Sequence, residues 1–337
     1  MDWFERLTGF REIGYADTRR QLEVNGRELR SRVNGKSYGI GELELVSLQH
    51  LRERVQSGGG LPGRLKVRVV TGDVRQLHQS PEYAGALFQV ASQFNMLEMT
   101  SQDVTPEMGV TRYQGDHTQG PACAIAAGAA TIYRNYFAPV GDDQGQTSER
   151  QLDGLADLGA ALHDALGRPV NTLWTMRNGY AMCTRSGLDA IAGHLGTLEA
   201  GQADMLGGNL RIGVHSDVEV TDVEGANRPQ VSQAFSSALP VAYSDVRKAA
   251  WQPFASLVLQ AAYEATMWAA VRNAQRGVSN VVLLTRLGGG AFGNADDWID
   301  AAMRRAIGMA VDYDLDVRIV RNRAPSRAIL QMVEDYA

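Results

Sequence analysis

The stretch Val281-Val282-Leu283-Leu284-Thr285-Arg286-Leu287-Gly288-Gly289-Gly290-Ala291-Phe292-Gly293-Asn294 decides how this chain is read. Its first half is a short apolar run rich in β-branched residues, the pattern of a strand buried on both faces. Its second half is a glycine loop, and a helical pattern from Asp296 to Val311 follows it. Glycines so concentrated are costly in backbone entropy and are most easily explained by a ligand that approaches the backbone closely. Between Ala291 and Gly293, Phe292 can offer a ring face instead of a core plug. The loop lacks the Gly-Lys-Ser/Thr ending of a Walker motif, and Gly-Gly-Gly-Ala-Phe-Gly so late in the chain is not a Rossmann fingerprint. A diphosphate-binding loop of another kind is expected.

Outward from this loop, the pattern is one of alternating strands and helices. Downstream come a final strand at Asp316 to Arg321 and a closing helix at Ser326 to Tyr336. Upstream, Ser244-Asp245 is expected to cap a long helix reaching Arg276, and Leu210 to Val220 and Val231 to Tyr243 read as strands. Buried strands are also expected at Leu65 to Thr71 and Ala86 to Ser92, and Pro121 to Phe137 reads as an Ala-rich helix packed closely on a sheet. The alternation predicts an α/β fold of three layers, helices on both faces of a sheet, with ligands at the carboxyl ends of the strands. Residues 138 to 208, with a Gly/Asp/Gln-rich loop at Gly141 to Gln146 and a helix at Leu152 to Leu166, read as an insertion.

The first 63 residues read as an N-terminal extension, and 64–337 as the main domain. Asn25-Gly26 and Asn34-Gly35 separate short β-capable runs, which predicts a three-stranded β-meander between Gln21 and Ile40, extending the sheet or covering an edge. Leu43 to Val55 reads as a strand leading into a helix, and Ser57 to Gly63 as a flexible break.

Composition narrows the function classes. The chain has 337 residues, 44% hydrophobic and 21% charged, which suits a compact globular protein. Its net charge of −5 argues against sequence-independent nucleic-acid binding, leaving open only a local basic groove. Two cysteines, Cys123 and Cys183, make neither a disulfide framework nor a thiolate zinc site, and no His/Cys/Asp cluster has metal-ligand spacing. No metal or other cofactor is expected. The start Met1-Asp-Trp-Phe-Glu-Arg is unlike a signal peptide, and the apolar segment Ala255 to Val271 is broken by Gln260 and Glu264, so the expectation is a cytoplasmic protein with no membrane span. No Gly-x-Ser-x-Gly elbow supports serine-hydrolase chemistry.

Two further loops carry possible chemistry. Gly72-Asp73-Val74 ends a strand, and Asp73 taken alone reads first as a simple Asx-turn residue. Gly115-Asp116-His117-Thr118-Gln119-Gly120-Pro121 feeds the Ala-rich helix, where free amides and an early proline make either an anion site or an ordinary helix start.

Taken in order, these motifs resemble the macrodomain family. The resemblance covers about residues 65–137 and 210–322. It implies ADP-ribose binding, with Asp73 at the adenine amino group, Val74 beside it, and backbone from Gly120, Pro121 and Ala122 toward the diphosphate and proximal sugar. Gly288, Gly289, Gly290, Ala291, Gly293 and Asn294 would form the loop closing over the phosphates, with Phe292 beside the distal ribose. Thr118 and Gln119 fall in the same binding set. Ala91-Ser-Gln-Phe-Asn95 stands where many macrodomains carry Asn-Ala-Ala-Asn, so Asn95 matches the ribose asparagine only with a one-residue slip. The usual triple glycine of the first loop is replaced by Asp116 to Gly120, and the Gln-Glu-Glu signature of poly(ADP-ribose) glycohydrolases is absent.

Hydrolysis of an ADP-ribosyl linkage needs an acid or base beside the distal ribose. Asp116 and His117 are the first candidates by position; Glu98, in Met96-Leu-Glu-Met99, is another, unless it is a surface residue. Asn95 can hold a ribose hydroxyl or cap the next turn. Three functions are therefore open: an ADP-ribosyl hydrolase, a non-catalytic module that reads ADP-ribose, and an α/β protein-interaction domain whose glycine loops are structural.

Overall fold

A computed structural model describes residues 1–225, 227–321 and 324–336. Its frame is a seven-stranded sheet: β1 (Glu42–Ser47), β2 (Lys66–Thr71), β3 (Leu87–Ala91), β4 (Arg211–Glu219), β5 (Gln230–Ser236), β6 (Val281–Leu284) and β7 (Asp316–Arg321), in the order β1-β4-β5-β3-β6-β7-β2. The run β5-β3-β6-β7-β2 is parallel throughout, while β4 runs antiparallel to both β5 and β1. Such a parallel run must be covered on both faces.

The strand sequences carry out that covering by alternation. Leu87, Ala234, Val282, Leu284, Val317 and Ile319 join a core with α1 (Leu48–Ser57), the long α5 (Lys248–Gln275), α6 (Asp296–Met309) and α7 (Arg327–Asp335). Phe88, Val90, Val231, Phe235 and Leu283 point the other way, toward α2 (Val74–Gln79), α3 (Gln119–Ala126) and the start of α4 (Gly128–Tyr136). Polar pairs bridge both layers: Gln89 Nε2 donates to Thr266 Oγ1 of α5 at 3.1 Å, and Gln233 Nε2 to the Cys123 carbonyl of α3 at 3.1 Å. The three-layer α/β/α arrangement is thus present with a mixed sheet.

Several local expectations are corrected. The Ala-rich helix is two helices broken at Ala127, where the Gly128 amide bonds Thr221 Oγ1 at 2.9 Å. A Cβ on Gly128 would come within 2.8 Å of Trp3, so the break lets the N-terminal helix Trp3–Thr8 sit close. Helix α5 begins at Lys248, not at Ser244-Asp245, because Ser244 Oγ instead accepts the Val246 amide. Strand β5 stops at Ser236, short of Pro240, which has no N–H for a ladder.

The meander forms as expected, with strands Leu22–Asn25, Glu28–Ser31 and Ser37–Gly39, but as a separate sheet that does not extend the large one. Leu22, Leu29 and Tyr38 pack with Ala129, Ile132 and Tyr136 over α4. Strand β1, N-terminal to the glycine-rich break, lies in the large sheet, and Val46, Leu51, Val55, Leu65 and Val67 share one core across that break. Residues 138–208 hold four helices, Ala156–Leu166, Val170–Leu173, Arg185–Leu195 and Ala200–Gly207, and two hairpins, Pro139–Val140 with Asp143–Gln144 and Trp174–Arg177 with Tyr180–Cys183. Among the described residues no helix is long and apolar enough to cross a membrane.

Candidate functional site

The carboxyl ends of β2, β7, β6, β3 and β5 open onto one cleft with two compartments. The inner one, about 180 Å³, is lined by Ala91, Ser92, Gln93, Glu98, Met99, Asp116, Gly120, Pro121, Tyr180, Ala238, Tyr243, Gly288, Ala291 and Phe292, among others. The outer one, about 550 Å³, is lined by Gly72, Asp73, Val74, His117, Ala122, Gly289 and Arg321, among others. Thr118, Gln119, Thr285, Arg286 and Gly290 border both, so the two compartments meet over the start of α3 and the tip of the glycine loop.

Each wall has a local cause. Asp73 is the N-cap of α2, its Oδ1 accepting the Arg75 and Gln76 amides at 2.8 and 3.2 Å, which leaves its exposed carboxylate at the outer rim. Asp116 makes a similar turn, accepting the Thr118 amide at 2.8 Å, and turns the chain into α3. At the start of α3 the Gln119 side chain folds back on β3: its Oε1 accepts the Ala91 amide at 2.8 Å and its Nε2 donates to the Gln89 carbonyl at 2.9 Å. Its side chain is therefore spent on the scaffold, and what the helix start presents to the cleft is backbone, with the macrodipole favouring an anion there.

The glycine loop is held by turns. Gly288 has φ +72°, its carbonyl accepts the Asn294 amide at 3.0 Å, and the Gly293 amide donates to the Gly290 carbonyl at 3.0 Å. Gly290 has open space where a Cβ would stand. Arg286, at the base of the loop, is paired with Asp296 and Asp300. Phe292 stands over the inner compartment in an aromatic cluster, its ring centroid 5.2 Å from Tyr180 and 5.7 Å from Tyr243.

The innermost group is Glu98. The segment after β3 turns sharply, with Met96 at φ +62° and the Gln93 side chain accepting the Met99 amide at 2.5 Å, and this delivers the Glu98 side chain beneath α3. Glu98 is 1% exposed. Arg134 Nη2 donates to its two oxygens at 3.1 and 3.4 Å. Burial pushes the Glu98 carboxyl up to about 7, with Arg134 opposing the rise. Glu98 is thus no surface residue, but a buried acid on a cavity wall that can change charge near neutral pH.

The structure gathers most of the anticipated residues and sets three aside. Asn95 is buried behind the cleft, accepting the Leu97 amide at 3.1 Å and donating to Gln151 at 2.8 Å, so it takes the turn-capping role. Asn294 is buried and donates to the Leu239 carbonyl at 2.9 Å. Gly293, at φ +69°, lies against Ala242 and closes the loop without lining the cleft. His117 faces the outer compartment, away from the inner cavity where Asp116 and Glu98 lie. Tyr180 and Tyr243 were not anticipated. Tyr180 follows Asn178-Gly179, both at positive φ, and that dipeptide is the hairpin signal that could have found it.

Among the described residues no group of three or more His, Cys, Asp or Glu side chains could hold a metal ion, and both cysteines are free and buried.

No family model matches the chain, and no curated protein matches it in sequence. Among solved structures it is similar to poly(ADP-ribose) glycohydrolase from Deinococcus radiodurans in complex with ADP-ribose. That match has a TM-score of 0.45 and 10% identity, and covers 87% of this chain and 93% of that one. It is also similar to the Thermomonospora curvata glycohydrolase bound to the inhibitor ADP-HPD, with a TM-score of 0.42 and 13% identity over 95% and 97% of the two chains. At such scores the likeness decides neither fold nor function.

Proposed function

We propose that the chain binds ADP-ribose or an ADP-ribosyl derivative along this cleft and hydrolyses the bond to its distal ribose. The observation that carries this reading is a buried carboxylate, Glu98, at the inner end of a cleft whose middle is built of backbone: the start of α3 on one side and the Gly288–Gly293 loop on the other. A diphosphate suits that middle, because backbone N–H groups and a helix start satisfy its charge without a cation. Adenine then falls in the outer compartment, where the Asp73 carboxylate can accept its amino hydrogens and Val74 offers an apolar face. The distal ribose falls in the inner one, beside Phe292 and within reach of Glu98 and Asp116.

In this arrangement Glu98 is the general base. Its carboxylate takes a proton from water as the oxygen bonds to the anomeric carbon; the bond to the leaving group breaks, and that proton passes on to the departing atom. Fixing the diphosphate on rigid backbone holds the anomeric carbon against the base, a large part of the rate gain expected of such a site. The localisation that fits is the cytoplasm, where protein-linked ADP-ribose would be the substrate.

The test is calorimetric titration with ADP-ribose, followed by chromatography of ADP-ribose released from ADP-ribosylated protein. Binding and release by the wild type, with release lost in Glu98→Gln, is the expected result. Binding without any release would leave a module that reads ADP-ribose, and no heat with ADP-ribose would sink the whole proposal.

A further inference from the structure

We propose that Arg134 is the positioning residue of this site: it holds the Glu98 carboxylate in its reacting orientation and in its charged state. The inference rests on the reading of Glu98 as the base and goes beyond it to the residue that governs that base.

Arg134 reaches Glu98 from α4, one layer behind the cavity wall, and is itself fully buried. Its guanidinium is held through Nε and Nη2, while Nη1 is buried without a hydrogen-bond partner. Nε donates to the Met96 carbonyl at 3.1 Å, Nη2 to Thr131 Oγ1 at 3.1 Å and to both Glu98 oxygens, and the guanidinium carbon lies 3.9 Å from the Phe235 ring centroid. Met96, whose carbonyl it holds, is the residue at φ +62° in the turn that delivers Glu98. One side chain therefore clamps both the acid and the strained turn that presents it.

The other ionisable groups near the pair cannot take over this role. Around Glu98 stand the Tyr113 hydroxyl, which accepts the Glu98 amide at 3.3 Å, the Cys123 thiol of α3 and, across the cavity, Asp116. His215 of β4 lies beyond Arg134. Burial pushes the Tyr113 and Cys123 groups up, and burial with the Arg134 charge pushes His215 well down, so all three are neutral near pH 7. Among these described neighbours Arg134 alone supplies positive charge to Glu98. Without it, no charge opposes desolvation of the acid and the carboxylate gives way to the neutral acid.

The experiment is a ¹³C-carboxyl NMR titration of Glu98 in the full chain, with the resonance assigned by its loss in Glu98→Gln, for wild type, Arg134→Met and Arg134→Lys. The Glu98 midpoint should move up by about one unit or more in Arg134→Met, roughly the size of effect a close opposite charge has on a carboxyl, and return toward the wild-type value in Arg134→Lys. Release of ADP-ribose from ADP-ribosylated protein should follow, with its acid limb displaced to higher pH by the same amount in Arg134→Met. An unmoved midpoint in Arg134→Met overturns the proposal, and so does an Arg134→Lys midpoint far above wild type should Arg134→Met fail to fold. If the midpoint moves but Glu98→Gln turns over normally, Arg134 governs Glu98 and it is the assignment of Glu98 as base that fails.

Discussion

Gly120 lies so close to the carbonyl of Ala91 that a Cβ built on it would come within 2.0 Å of that oxygen, and within 3.1 Å of Glu98 Cγ. The start of α3, the end of β3 and the buried acid therefore meet at one point, and a glycine there is dictated by the scaffold. Gly290 is the opposite case, since nothing stands within 4 Å of its missing Cβ although it borders both compartments. Gly120→Ala should thus destabilise the fold by about 1–3 kcal/mol, the usual range for overpacking. Gly290→Val should leave the melting temperature unchanged and abolish the heat of ADP-ribose binding. Thermal melts and titrations on the two variants check this pair, and a Gly290→Val protein that binds normally would remove the loop from the site.

Glu98→Gln keeps the size of the side chain and an oxygen for Arg134 while removing the base. Turnover should fall about a hundredfold or more, the typical contribution of a general base. Affinity for ADP-ribose should stay within about twofold of wild type, because the lost interaction belongs to the transition state. Paired single-turnover and titration measurements separate the two quantities.

Asp73 serves the helix cap and, in the proposed complex, the adenine. Asparagine caps a helix as well as aspartate but is a weaker acceptor for a second partner. Asp73→Asn should leave stability unchanged and weaken ADP-ribose by about 1 kcal/mol, roughly fivefold, the difference between a charged and a neutral hydrogen bond. Equal affinity in the two proteins would place the adenine elsewhere.

The buried Glu98 also writes a pH signature on stability. Its folded-state value is raised to about 7, so above the ordinary glutamate value the folded chain keeps a proton that the unfolded chain has lost. This contribution to stability is complete below about pH 4.5 and declines as pH rises toward 7. The stability of wild type relative to Glu98→Gln should therefore shrink between about pH 5 and pH 8, as read from urea unfolding at the two ends. A difference that grows with pH would show that the folded carboxyl is lowered instead, with Arg134 winning over burial.

What the sequence disclosed was whatever depends on local pattern. The run Val281 to Leu284 had to be a buried strand, and the glycines after it had to be a loop, because both follow from side-chain periodicity and backbone freedom. Asp73, Gly120 and Gly290 stand out in the sequence for the same reason, each in a loop after a strand or at the start of a helix. Glu98 could be named but not placed, since a carboxylate between two methionines reads like a surface residue until Arg134, thirty-six positions on, is brought beneath it by α4. Asn95 and Asn294 resemble ligand donors in sequence, and only the fold turns their side chains to the Leu97 amide and the Leu239 carbonyl. Tyr180 lay in a region read as an insertion, although the Asn178-Gly179 turn before it is a local signal.

The hairpin carrying Tyr180 has a further consequence. The Tyr180 hydroxyl donates to the Met99 carbonyl at 2.9 Å, and the Phe94 amide donates to the Gly179 carbonyl at 3.0 Å, so the hairpin is bonded to the very segment that bears Glu98. Residues 138–208 are therefore no ornament that could be trimmed to obtain a minimal domain. An excised core lacking them would lose Leu158, Leu162, Trp174 and Ile191 from the core that covers one face of the sheet, one wall of the inner cavity, and the clasp on the segment that presents its acid.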